Sequence, residues 1–310
     1  MRFNITHTTT YHYSQPVGLC QNEARLQPRE FWRQQCVSSR FELSPEPSDF
    51  KERTDFFGNR VAYFAIQQSH AKLTVTALSD VIIHSGLQQQ NAISSITWEE
   101  ARSILQSPFI QAQSQVRSLA QAYWAEDNFE LMDARQYLLD SPMVVSSGDL
   151  AGYAGASFLP NRPLIDAVAD LMRRIYNDFT YDPAFTTIAT PLSDVLLHRR
   201  GVCQDFAHLA IGCLRSYGLA ARYVSGYIES TPMPGVQRLV GADASHAWFA
   251  VYIPGTGWCE FDPTNNKMPT DQHITLAWGR DYSDVTPLKG VAYGGGQHTL
   301  LVSVDVMRVS

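Results

Sequence analysis

The chain lacks a long hydrophobic run. Its most apolar stretches, such as Leu219–Ile228, are broken by polar residues and fall far short of the ~20 residues that span a bilayer. A membrane helix is not expected. The opening Met1-Arg2-Phe3-Asn4-Ile5-Thr6-His7-Thr8-Thr9-Thr10 alternates apolar and polar residues and has no apolar signal-peptide core. An intracellular, cytoplasmic protein is therefore expected. Basic residues are scarce: 24 Lys and Arg stand against 30 Asp and Glu, giving a net charge of −6. No basic run offsets that balance, which argues against a nucleic-acid surface. Cysteine is sparse as well, with five at positions 20, 36, 203, 213 and 259. The odd count and irregular spacing fit neither a disulfide framework nor a zinc knuckle. No internal repeat or low-complexity segment is present, and no cofactor or metal is expected.

What remains is an ordinary globular composition, 45% apolar and 17% charged, over 310 residues. That length suits two domains. Residues 1–90 read as strands, with alternation at Arg2–Thr6, Phe41–Ser44, Val61–Gln67 and Lys72–Ile83 and turns at Pro45, Pro47 and Gly58-Asn59. Several short strands at this spacing predict an N-terminal antiparallel β-sandwich. Residues 91–159 read as a helical connector and loop. Trp98, Ala101, Ile104 and Leu105 recur at helical spacing, as do Val116, Leu119, Ala120 and Tyr123, and Ser146–Ser157 reads as a loop. The second domain is assigned to 160–290, with a C-terminal strand in 291–310.

Three helices are predicted in the second domain. One runs from about Pro163 to Phe179 and places Ile165, Val168, Ala169, Met172 and Ile175 on one face. The next is capped by Thr190, starts at Pro191 and ends before Gly201. The third starts near Cys203, buries Phe206, Leu209, Ala210, Cys213, Leu214 and Tyr217, and stops at Gly218. Strands are predicted at Tyr223–Ile228, His246–Ile253, Trp258–Phe261 and Thr299–Val309.

Cys203 is the residue with chemical promise. A helix N-terminus carries unpaired N–H groups and about half a positive charge, which favour a thiolate and can hold an oxyanion. A nucleophilic cysteine also needs a basic histidine, and that histidine needs an orienting acceptor. Taken singly, Cys213 and Cys259 read as core, His208 as a helix-face residue, and Trp248 and Trp258 as packing. A metal site from Cys203, His208 and His246 is the weaker rival.

The combination is more specific. Arg200-Gly201-Val202-Cys203-Gln204-Asp205-Phe206-Ala207-His208, then Ser245-His246-Ala247-Trp248, then Gly257-Trp258-Cys259-Glu260-Phe261-Asp262-Pro263-Thr264-Asn265 resemble the cysteine, histidine and aspartate motifs of the bacterial transglutaminase-like superfamily. Tyr181-Asp182-Pro183 and Thr190-Pro191 fit too, and the resemblance covers about 175–266. The sandwich at 1–90 is similar to the N-terminal region that accompanies this core in bacterial members. The resemblance implies an α+β fold: a papain-like transglutaminase core, with a Cys-bearing helix on an antiparallel sheet, preceded by the N-terminal β-sandwich. It implies acyl-enzyme chemistry on a peptide or amide, with Cys203, His246 and Asp262 as catalytic triad. Tyr181 becomes a candidate oxyanion donor and Asp205 a support for the helix start. Hydrolysis is favoured over transfer to an amine, and a non-catalytic peptide-binding module is the third alternative. Calcium-dependent animal transglutaminases carry Cys-Trp at the nucleophile, whereas Gln204 follows Cys203 here. Calcium activation and crosslinking are therefore not carried over.

Strand parity adds a geometric expectation. Residues opposed across a hairpin share a face, and successive residues alternate faces. An even loop over Pro254–Gly257 would set His246 opposite Asn265 and leave Asp262 on the other face. An odd loop sets His246 opposite Thr264, with Asp262 as its same-face diagonal neighbour at about 7–8 Å. Pairing of His246 with Asp262 therefore requires an odd loop or a bulge, which Gly255 and Gly257 can supply.

Overall fold

The computed structural model describes residues 1–84, 96–107, 127–187, 190–229 and 245–309. Among them, strands form a seven-stranded, a four-stranded and a two-stranded sheet. The seven-stranded sheet is organised by β1 (Arg2–Ala24), in which Phe3, Ile5, His7 and Thr9 are buried and their neighbours are not. The first half of β1 lies between β5 (His70–Ile83) and β13 (His298–Val309). Its second half lies between β4 (Arg60–Ile66) and β12 (Leu288–Gly294). β2 (Gln34–Ser44) extends β5, and β3 (Asp49–Thr54) extends β4.

The expected sandwich is thus one continuous sheet whose long strand serves two groups of partners. The change of partners falls at the register shift between His12 and Val17. Pro16 sits there, and it has no N–H to give to a ladder. The C-terminal strand does not stand alone: β12 and β13 both close onto β1.

The helices follow local rules, with two departures from expectation. Helix Trp98–Gln106 is capped by Thr97, whose side chain accepts from Glu100 N while the Glu100 carboxylate accepts from Thr97 N at 2.9 Å. The expected helical residues Val116, Leu119, Ala120 and Tyr123 lie outside the described residues. Residues 127–135 form a further helix. The stretch read as a loop at Ser146–Ser157 is helical over Gly148–Ala154. Ser147 Oγ caps it by accepting from Leu150 N at 3.2 Å, and Leu150 is buried against Gly212, where a Cβ would stand 2.8 Å from its Cδ1. Capping and burial outweigh weak helix propensity here.

Helix Leu164–Asp178 buries the predicted stripe through Val168, Met172 and Ile175. In helix Leu192–His198 the cap position is Pro191, not Thr190, because Thr190 Oγ1 instead accepts from Thr187 N at 2.9 Å. That helix ends at Arg199 in the left-handed region (φ 56°), before Gly201 is reached.

Helix Cys203–Ser216 packs on the four-stranded antiparallel sheet, ordered β10 (Gly257–Phe261), β9 (Ser245–Ile253), β8 (Ala221–Ile228), β11 (His273–Gly279). It stops at Gly218, which takes a φ of 71°. The opposite sheet face buries Val224, Trp248 and Ala250. Arg222 lies over both Trp258 and Trp278, 4.2 and 3.8 Å from the ring centres. Both central strands are therefore covered on two faces. Gly226 lies where they are tightest, since a Cβ there would meet Ile274 O at 2.1 Å. Only glycine fits.

Candidate active site

Cys203 is half-buried at the first position of its helix. The start of that helix is fixed by Asp205, whose Oδ2 accepts from Val202 N at 2.8 Å. The carboxylate folds back over Gly201, where an added Cβ would lie 2.8 Å from Asp205 Cβ. Burial pushes the Asp205 carboxyl up, against the hydrogen bond from Val202 N. A short parallel ladder, β6 (Thr180–Tyr181) on β7 (Arg200–Gly201), carries Tyr181 to the same opening as Cys203. Burial raises the Tyr181 hydroxyl, with the neighbouring Cys203 adding to the effect, so it keeps its proton.

The β9–β10 hairpin has the odd register. Gly257 opposes Ile253 and Phe261 opposes Phe249, with a three-residue loop at 254–256. Gly255 and Gly257 take positive φ values of 81° and 94°. His246 and Asp262 consequently share a face, and Nε2 donates to Asp262 Oδ2 at 2.8 Å. Cys203 lies beside the same ring and helps to raise it, and with Nε2 engaged by Asp262 the nitrogen left to face the sulfur is Nδ1. Burial opposes a charge on His246, yet its hydrogen bond to the Asp262 carboxylate and the neighbouring Cys203 prevail and raise it to about 10. Asp262 is fully buried, which opposes its charge, but its donors hold the carboxylate well below the usual range.

Sequence reasoning missed His273 at the start of β11. Its Nδ1 accepts from Thr270 N at 3.4 Å, so its proton sits on Nε2 and is donated to Asp262 Oδ2 at 3.0 Å. Asn265 Nδ2 donates to the same oxygen at 2.7 Å. His246, Asp262 and His273 bring together the donor types of a cation site. The protonated Nε2 of His273 instead wires the cluster as hydrogen bonds. No local motif marks His273; it lies beyond the aspartate motif and reaches the site only through the pairing of β11 with β8.

The rival grouping of Cys203, His208 and His246 does not assemble. His208 is a core residue whose Nε2 accepts from Tyr282 N at 3.1 Å, and burial pulls it down to about 4. Cys213 in the core and the partly buried Cys259 are both pushed up to about 12 by burial, as unreactive thiols should be. Trp248 is fully buried packing.

Cys203 and His246 open onto a cavity of about 340 Å³. The core supplies Tyr181, Gln204, Tyr223 and Ser225 to its wall, and the seven-stranded sheet supplies His7, Thr9 and Tyr11. The N-terminal region is thus part of the site.

A half-buried cysteine at a helix start, joined through a buried histidine to a buried aspartate on an antiparallel sheet, defines a papain-like α+β arrangement of the cysteine–histidine–aspartate class. Residues 3–82 match the bacterial transglutaminase-like N-terminal region, and residues 156–263 match the transglutaminase-like superfamily. An uncharacterized protein of Mycobacterium tuberculosis is 39% identical over 314 residues, spanning 99% of this chain and 92% of the relative. One of Mycobacterium leprae is 32% identical over 312 residues, spanning 100% and 99%. The chain belongs to the bacterial transglutaminase-like superfamily. The crystal structure of a candidate cysteine protease from Cytophaga hutchinsonii has the same fold, with a TM-score of 0.70 at 20% identity over 100% of this chain and 92% of that one.

Proposed function

We propose that the chain is a cysteine-dependent hydrolase of peptide or amide bonds, with Cys203 as nucleophile, His246 as proton carrier and Asp262 as its orienting partner. The observation that carries this reading is Cys203 at a helix start, sharing a cleft with a buried His246 that is hydrogen-bonded to the buried Asp262. Cys203 sulfur attacks the carbonyl carbon, and the carbonyl oxygen takes the negative charge. First-turn N–H groups of the helix, with the Tyr181 hydroxyl, are the donors for that oxygen. His246 delivers a proton to the leaving nitrogen as the C–N bond breaks, leaving a thioester on Cys203. Water then attacks the thioester, His246 accepts its proton, and the C–S bond breaks to release a carboxylate. Asp262 keeps the ring in one tautomer and supports its positive charge. The five free thiols support an intracellular setting.

The test is mass spectrometry of a peptide library incubated with wild type and Cys203→Ala, in ¹⁸O-water, with and without a primary amine. Hydrolysis leaves one ¹⁸O in each new carboxylate. Amine adducts in place of carboxylates would move the activity to acyl transfer, and products independent of Cys203 would refute the reading.

A further inference from the structure

Two polar side chains on the far wall of the cleft have no part in the chemistry above. His7 and Thr9 lie two residues apart on β1, so they share a face, and both are buried at 2% and 4% exposure. His7 Nε2 meets Thr9 Oγ1 at 3.0 Å, and its Nδ1 meets the Tyr227 hydroxyl at 2.9 Å. The direction of these bonds follows from proton counting. Burial raises the Tyr227 hydroxyl and keeps it protonated, and His7 Nδ1 is its partner among the described residues. Tyr227 therefore donates to Nδ1. Burial keeps the His7 ring neutral, pulling it down to about 4, so its single proton sits on Nε2 and is donated to Thr9 Oγ1. Thr9 thus accepts from His7, and its own hydroxyl proton has no acceptor among the described residues. Thr9 lines the cleft that holds Cys203.

We propose that Thr9 is a substrate-binding residue, donating its hydroxyl proton to a carbonyl oxygen of a peptide whose side chains beside the reacting bond are uncharged. The second half of the assignment rests on the rest of the wall. Tyr11, Leu288, Leu300 and Val302 come from the same sheet, Tyr223 and Tyr282 from the core, and no Lys, Arg, Asp or Glu among the described residues lines the cleft. A charged side chain entering there would lose water, and the one ionic group of the wall, His246, is already paired with Asp262. The N-terminal sheet therefore reads the substrate while the core carries out the chemistry. This rests on Cys203 being the nucleophile of the site.

The experiment measures Cys203 alkylation by mass spectrometry with four reagents. These are acetyl-leucyl-leucyl chloromethyl ketone, its glutamyl-glutamyl and lysyl-lysyl counterparts, and iodoacetamide, which is too small to reach the far wall. Wild type should react with the leucyl reagent about tenfold faster than with either charged one, the scale of one desolvated polar contact. Thr9→Val, which keeps shape on a strand but removes the donor, should lose about tenfold with the leucyl reagent. Thr9→Ser should stay within about threefold, and iodoacetamide rates should match across all three proteins. A Thr9→Val rate with the leucyl reagent equal to wild type would overturn the donor role. Equal rates for leucyl and charged reagents would overturn the substrate class. If iodoacetamide does not select Cys203 over Cys213 and Cys259, the nucleophile assignment itself fails.

Discussion

Replacing Asp262 by Asn tests the buried pair without changing its shape. The carboxylate accepts five hydrogen bonds, three at Oδ2 from His246, His273 and Asn265 Nδ2, and two at Oδ1 from the N–H groups of Thr264 and Asn265. An amide offers one accepting and one donating atom, so one set of donors must be given up. The smaller set is the turn at Thr264 and Asn265, so the amide oxygen stays with the histidines. An N–H left without an acceptor costs about 1–3 kcal/mol when buried. This turn is only partly buried, so the two losses together are expected near the low end, about 2–3 kcal/mol. Removing the negative charge has a separate effect on His246. An opposite charge at this range shifts a neighbour by about 1–3 pH units.

Because the pair raises His246 above its ordinary 6.5, its stabilisation is fully present below 6.5 and is lost as pH rises through about 10. The stability gap between wild type and variant should therefore be wide at pH 7 and narrow toward pH 10, leaving the pH-independent loss at the turn. The alkaline limb of the rate profile should move down by about 1–3 units in the variant. The assay is turnover of the fastest-cleaved library peptide against pH, with urea unfolding at pH 7 and 10. An unchanged alkaline limb together with an unchanged urea midpoint would refute the argument.

Cys203→Ala and Cys203→Ser should abolish turnover and leave the urea midpoint close to wild type, since the side chain is half-buried at a helix start. Turnover by the alanine variant within about tenfold of wild type would contradict the role, because nucleophile removal costs far more. His208 is depressed from 6.5 to about 4, so between those pH values the unfolded chain takes up a proton that the folded one refuses, and stability falls as pH falls. His208→Gln keeps an acceptor for Tyr282 N and should flatten that acid slope, by about 3 kcal/mol at its limit, in urea midpoints from pH 7 to 4. His273→Phe should lower kcat about tenfold with little change in KM by releasing one donor from Asp262, and His273→Gln should restore part of it. Equal kcat in the phenylalanine and glutamine variants would reduce His273 to packing.

The parts of the site that were legible in the sequence are those written in consecutive residues. Gly201 and Cys203 mark a helix start because cap and nucleophile lie within one turn. The hairpin register followed from parity once His246 and Asp262 were taken as partners, since they are sixteen positions apart across one loop. Long-range partners leave no such trace. Leu288–Gly294 alternates too weakly to announce a strand, and it becomes one only because β1 offers an open edge. His273 looks like any strand residue until β11 pairs with β8. The helix at Gly148–Ala154 was hidden by its composition, which favours a loop until Leu150 finds its place against Gly212.

The same distinction explains why the site spans both ends of the chain. The core alone can place a thiol, an imidazole and a carboxylate, because those positions follow from one helix and one hairpin. It cannot close the cleft in front of them. Closure falls to the first half of β1, whose buried face presents His7 and Thr9, and to β13, which pairs with that half from Arg2 to Tyr13 and adds Leu300 and Val302. A strand held on both edges by partners far away in sequence is positioned by a whole sheet rather than by a loop. It can therefore hold a buried hydroxyl in fixed register against Cys203. In this architecture, chemistry is specified locally in the core, while recognition is specified by the pairing of the chain's two ends.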